Sequence, residues 1–259
     1  MEYEIYTLMF TLGFIGGGLS GLLGIGGGII MVPLLLYVPP VFGLVELPMR
    51  VVAGMTTVQS FIGAISGASK HNKFKRIHLP LACYLGIPMA IGSFSGSFIS
   101  KQVSNELMLQ AFGVMAVCAA ILMFLPKKDE HDDPDLNDVS FSKPLAIFTG
   151  ASIGIFAGII GQGGAFLFIP AMIYLLSIPT RIVIGTALLI GIMSSAAVFI
   201  GRLGSGQIPW GWSAIMVAGV LIGAQVGAAF SQKTPVHVLR HILAVIITGT
   251  AIKIWFEVL

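Results

Sequence analysis

The chain has 259 residues, 56% of them hydrophobic and only 10% charged, with a formal net charge of +3. A soluble domain carries about 25% charged residues, so this chain lacks the polar surface to cover a globule. Recurrent apolar runs of about 20 residues mark an all-α, polytopic membrane protein, and so small and scattered a positive charge gives no case for a nucleic-acid partner.

The N-terminus, Met1-Glu2-Tyr3-Glu4, is acidic and lacks the basic stretch of a signal peptide, so the first apolar segment is expected to stay in the mature protein. Residues 5–37 are apolar apart from glycines. As one straight helix they would be about 50 Å long, against a hydrocarbon core of about 30 Å. Further apolar runs lie at 51–69, 79–100 and 107–125, and, after a hydrophilic linker at 126–143, at 144–176, 182–200, 210–230 and 236–256. This divides the chain into a first membrane repeat (1–125), the linker, and a second membrane repeat (144–259). The basic run Lys70-His71-Asn72-Lys73-Phe74-Lys75-Arg76 reads as a cytoplasmic loop. Cys83 and Cys118 sit in apolar runs without CxxC spacing, so no disulfide, metal or cofactor framework is indicated.

The first run holds GLLGIGGGIIMVP, Gly21 to Pro33, and the fifth holds GIIGQGGAFLFIP, Gly158 to Pro170. Gly21, Gly24, Gly26, Gly27 and Pro33 reappear 137 residues on as Gly158, Gly161, Gly163, Gly164 and Pro170. Pro48, Arg50 and Gly54 reappear 131 residues on as Pro179, Arg181 and Gly185, as do Gly92, Gly96 and Ser100 as Gly223, Gly227 and Ser231. The chain is therefore a duplicated four-segment unit, eight apolar segments in all. Each glycine costs roughly 1 kcal/mol against alanine inside a helix, so the first segment of each half should be broken or re-entrant. Broken backbone survives in hydrocarbon only where protein or a wet cavity covers it. A single crossing would make the halves parallel, and a re-entrant hairpin would invert them. Breaks this severe resemble the discontinuous helices of inverted-repeat carriers, which favours inversion. Either arrangement puts loops 70–78 and 126–143 on the same, more basic side, the cytoplasmic one.

A helix that restarts after adjacent glycines offers unsatisfied N–H groups and about half a positive charge, which suits an anion. Gly24, Gly26, Gly27 and Gly28 in the first half and Gly161, Gln162, Gly163 and Gly164 in the second are therefore the candidate substrate-binding backbone. Close helix packing is the competing account. It covers Gly92-x-x-x-Gly96 and Gly219-x-x-x-Gly223-x-x-x-Gly227 well. A dinucleotide cradle is disfavoured, because the Walker lysine is missing and no soluble strand precedes the glycines. Thr56, Ser60, Gly63 and Gly67 share one helix face, and Ala187, Gly191, Ser194 and Val198 form its repeat counterpart. That face either packs or lines a pathway, with Thr57, Gln59, Thr186 and Ser195 as neighbouring neutral donors. Arg50 and Arg181 begin equivalent helices, as interface anchors or as anion-attracting gates. None of the eleven acids falls inside an apolar run, which argues against a cation substrate and a carboxylate proton relay. No catalytic constellation is visible, so an enzyme is not expected.

The duplicated GxxGxGGxxxxxP stretch, the following P-x-R-x-V-x-G segment and the eight apolar runs resemble the TauE/SafE sulfite exporter family, also called TSUP. The resemblance covers nearly the whole chain except the linker. It implies transport of small sulfur-containing or organic anions, such as sulfite, sulfoacetate, sulfolactate or thiosulfate, across the bacterial cytoplasmic (inner) membrane. The A-x-G-T-S that many members carry after the arginine is replaced here by Ala53-Gly54-Met55-Thr56-Thr57 and by Ile184-Gly185-Thr186-Ala187. The partners implied are a small anion and the lipid bilayer, with a homo-oligomer left open. A non-transporting membrane scaffold and a channel are the alternatives. A wet, hydroxyl-lined centre would favour transport, and a dry one the scaffold.

Overall fold

The computed structural model describes residues 2–23, 28–70, 77–124 and 139–231, together with 245, 248–249 and 252–253. Gly24, Gly26, Gly27, the basic run at 71–76, most of the linker and most of the last apolar run lie outside the described residues. Within them every regular element is helical. We number these helices α1 (Glu2–Leu23), α2 (Gly28–Val41), α3 (Met49–Lys70), α4 (Leu79–Ile99), α5 (Asn105–Phe124), α6 (Lys143–Ile160), α7 (Ala165–Tyr174), α8 (Thr180–Leu203) and α9 (Trp210–Ser231).

Six of them, α1, α4, α5, α6, α8 and α9, contain stretches long and apolar enough to cross a membrane, while α2 and α7 are shorter apolar helices. Helix α3 has the length but carries Arg50, Thr56, Thr57, Gln59 and Ser60. It turns that polarity inward, and residues 52–60 are all buried. One π-helical turn, Ala82–Gly86, interrupts α4 just before Pro88. A proline inside a helix has no N–H to donate and crowds the preceding turn, and a locally widened turn relieves both effects.

Both glycine-bearing segments are divided. In the first, a β-carbon added at Gly16 would strike the Met31 thioether. On a straight helix those positions would lie about 22 Å apart, so α2 folds back along α1. In the second, a β-carbon at Gly164 would sit 3.1 Å from Ala157 Cβ and 3.3 Å from Ile153 Cγ2, so α7 folds back along α6.

Two seams of glycine hold the long helices together. Along α6, β-carbons at Gly150, Gly154 and Gly158 would clash in turn with the carbonyl oxygens of Leu85, Met89 and Ser93 on α4. Along α1, those at Gly13, Gly17 and Gly21 would clash with the carbonyl oxygens of Met216, Val220 and Ala224 on α9. Both registers ascend together, so each pair is parallel. Backbone-to-backbone approach of this kind is what small-residue spacing permits in membranes, where dispersion and weak Cα–H···O contacts replace the hydrophobic effect. Helix α8 also ascends with α4: Gly86 faces Ile190, Ser93 Oγ lies 2.8 Å from Ser194 Oγ, and Gly201 meets Ser97. Helix α3 ascends with α9 through Gly54 on Gln207 and through the cluster of Val58, Ile62, Val217 and Leu221. Helix α3 begins where α8 ends, and the Phe61 and Phe199 rings stack between them at 4.7 Å. The bundle is thus two sets, α1/α3/α9 and α4/α6/α8, running in opposite directions.

Candidate functional site

The second glycine turn is built from four buried residues, Gly161 to Gly164. Helix α6 stops because Gly161 is left-handed, with φ +83°, which a residue bearing a β-carbon adopts only at a cost. The N–H groups of Gly161 and Gln162 both return to the Ala157 carbonyl, at 3.0 and 2.9 Å. Gly164, also left-handed at φ +68°, opens α7, and its carbonyl accepts from Leu167 and Phe168 N–H. No side chain caps that end, so the first N–H groups of α7 retain donor capacity. In the second half the helix restarts at Ala165, directly after the last glycine of the turn.

The two glycine segments meet. Gln162 Nε2 donates to the Gly28 carbonyl at 3.0 Å, and a β-carbon at Gly28 would sit 2.5 Å from Gln162 Oε1. The beginning of α2 is therefore in contact with the turn that opens α7. Gln162 is 1% exposed, and among the described residues its Oε1 has no hydrogen-bond partner. A buried acceptor without a donor costs about 1–3 kcal/mol, a cost that a donor on a ligand or a water would remove. Gln59 Oε1 on α3 is in the same state.

The threonines join this cluster but not as free donors. Thr57 Oγ1 lies 2.7 Å from the Ala53 carbonyl and 3.0 Å from that of Gly161. Thr56 Oγ1 lies 2.9 Å from the Val52 carbonyl and 3.3 Å from that of Gly161. The break exposes a carbonyl at the C-terminal end of α6, and the two hydroxyls converge on it. Ser60 is buried on the same helix, and Ser194 is held by Ser93. Thr186 lies elsewhere: its Oγ1 accepts from the His78 backbone N–H at 3.1 Å, at the start of α4. Beside Gly63 there is open space, and at Gly191 the nearest atom is Phe168 Cζ, 4.0 Å from an added β-carbon.

Arg50 sits at the start of α3. Its Nη2 donates to the Val103 carbonyl at 2.7 Å, and its backbone N–H to Asn105 Oδ1 at 3.0 Å. Its Nε is buried without an acceptor among the described residues. Of the Arg181 side chain nothing is described.

A family model described as "Sulfite exporter TauE/SafE" matches residues 9–254. The chain belongs to that family. Among its relatives, "Probable membrane transporter protein YunE" of Bacillus subtilis is 22% identical over 97% of this chain and 98% of its own length. A "Probable membrane transporter protein" of Xylella fastidiosa is 26% identical over 96% and 95%. One from Methanocaldococcus jannaschii is 28% identical over 66% and 64%. No solved structure matches the chain. Membership fixes the broad class, a multi-pass membrane transporter.

One residue that the sequence did not single out stands beside the site. Arg202, near the end of α8, is 0% exposed. Its Nη2 donates to the carbonyls of Gly158 and Ile159 at 3.0 and 2.6 Å, and its Nη1 to Gln207 Oε1 at 2.8 Å. A guanidinium on the last carbonyls of α6 complements the negative end of that helix. Its position four residues before a Gly-Gln-Ile loop resembles an ordinary interfacial arginine. Only the return of that loop buries it.

Proposed function

We propose that the protein is a secondary transporter of small anions, organosulfur oxyanions such as sulfite, sulfoacetate or thiosulfate, in the cytoplasmic membrane. The observation that carries this reading is the Gln162–Gly28 hydrogen bond, which brings the described end of α2 against the turn that opens α7. Helix N-termini favour negative charge, and among the described residues the buried polar set contains hydroxyls, amides and one arginine but no carboxylate. Gly24, Gly26 and Gly27 would complete the donor set from the first half. Membership of a transporter family supports a non-enzymatic role.

The two halves are inverted in this reading, each beginning with a re-entrant hairpin. Support comes from the helix directions: the repeat-equivalent helices α1 and α6, α3 and α8, and α4 and α9 each fall in opposed sets. Inversion places the loop before α4 and the linker on one side, the basic side, which is cytoplasmic by the positive-inside rule.

The density around Gly161, where a β-carbon would lie 2.7 Å from the Ala53 carbonyl carbon and 2.8 Å from Thr57 Oγ1, favours a second reading, a membrane scaffold that moves nothing. Proteoliposome uptake of labelled sulfite, thiosulfate and acetate, with a quaternary ammonium cation as control, separates the two. Transport predicts saturable anion flux and no cation flux. Absence of flux for every anion, from correctly folded protein, refutes it.

A further inference from the structure

We propose that Arg202 is the fixed positive charge of the anion site and sets its preference for anion charge. This rests on the transport reading and adds to it a specificity-determining residue outside the glycine stretches. The two ends joined by the Gly161–Gly164 turn, the last carbonyls of α6 and the first N–H groups of α7, face the same way. Arg202 occupies the α6 half of that end through Gly158 and Ile159. The α7 half is uncapped. An anion seated on the α7 N–H groups would therefore lie at the same end of the hairpin as the guanidinium, across the Gly161–Gly164 turn.

The charge balance points the same way. Arg202 is fully buried, and no carboxylate pairs with it among the described residues. Arg50 adds to its field by repulsion rather than cancelling it. Both arginines keep a buried Nε without an acceptor among the described residues. Glu46 and Glu106, the acids nearest in sequence to this end of α3 and α5, are exposed. The α6 carbonyls supply only about half a negative charge. A site with one and a half uncancelled positive charges on this side is completed by an anion, and a dianion completes it better. At an effective dielectric of 20 and a separation of roughly 10 Å, the attraction is worth about tenfold in affinity for each unit of charge.

The test measures thermal stabilisation and proteoliposome KM with acetate, a monoanion, and thiosulfate, a dianion. Arg202→Gln keeps N–H donors for the α6 carbonyls and removes the charge. Its KM should rise about tenfold for acetate and about a hundredfold for thiosulfate, with kcat little changed. Arg202→Lys should retain most of the thiosulfate preference. Gln207→Glu leaves the arginine in place and neutralises it, and should give the same charge-graded loss, so the outcome does not hang on one variant folding. An equal loss for both anions, or none, in whichever of Arg202→Gln and Gln207→Glu folds overturns the proposal and leaves Arg202 as a cap of α6. Wild-type protein that responds to no anion overturns the transport reading itself, which the wild-type measurement reveals without any variant.

Discussion

Gly161→Ala tests whether the break in the second half is held by conformation, by close approach, or by both. Two costs add at this position. The left-handed backbone, φ +83°, costs an L-residue about 1–2 kcal/mol. The new β-carbon would also run into the Ala53 carbonyl, with its carbon 2.7 Å away. That neighbour is helix backbone and cannot rotate aside, so α3 and the turn must separate at an overpacking cost of about 1–3 kcal/mol. The expected loss is thus roughly 2–5 kcal/mol. Two other glycines isolate the components. Gly206 has φ +67° and nothing within 4 Å, so Gly206→Ala should lose only the conformational part. Gly163 has its nearest neighbour, Ser195 Cβ, at 3.4 Å and no left-handed φ, so Gly163→Ala should be close to neutral. Thermal unfolding in detergent ranks the three, and transport in proteoliposomes shows whether shifting the turn also displaces Gln162 from Gly28. Equal melting of Gly161→Ala and Gly206→Ala would show that the approach to Ala53 is not rigid and that packing does not preorganise the turn.

The seams give a second contrast: Gly154→Val should destabilise by several kcal/mol, because Met89 backbone occupies the space, whereas Gly63→Ala, facing open space, should be neutral or better in the same melt. Arg50→Gln should raise the KM for thiosulfate more at low salt than at high, since a partly exposed charge is screened within about 8 Å at physiological ionic strength, and an unchanged KM at both salts would remove Arg50 from the pathway. His78 accepts the Leu81 N–H on Nδ1 at 3.1 Å, and burial lowers its pKa from 6.5. A base whose folded pKa is depressed contributes stability above its unfolded pKa and loses it as the pH falls through the folded value. Acidifying from pH 7 through and below 6.5 should therefore lower the melting temperature, and His78→Asn, which can still cap but does not titrate, should flatten that slope.

Much of this architecture is legible from residue spacing alone. The 137-residue repeat identifies the two breaks, because several glycines clustered in one apolar run each weaken the helix there. The restart at Ala165 follows from where the glycines stop. The stripes Gly92/Gly96 and Gly219/Gly223/Gly227 are recognisable as packing faces. Which helix each one meets is not, since a small-residue stripe is complementary to any other stripe. The fate of Thr56 and Thr57 was hidden for a different reason. A sequence shows that they can donate, but the carbonyl they approach, Gly161, is freed only by the break itself. Arg202 was hidden because burial at a helix end depends on the path of the following loop. The roles of Gly24, Gly26, Gly27 and Arg181 rest on the repeat, while Thr186 sits at the His78 end of the bundle, away from the turn.

The glycine seams also dictate an order of assembly. Helix α1 leaves the ribosome well before the helix whose backbone it lies against, α9, which is made roughly 200 residues later, or about 10–40 s at ordinary synthesis rates. Helix α4 likewise waits for α6. During that interval Gly13, Gly17 and Gly21 present a bare groove to lipid or to an insertase. Neither half contains its own partner surface, so the first half expressed alone would carry two unfilled grooves and should be cleared by proteolysis. Co-expressed as separate chains, the halves should find each other in the membrane, because each supplies the ridge the other lacks.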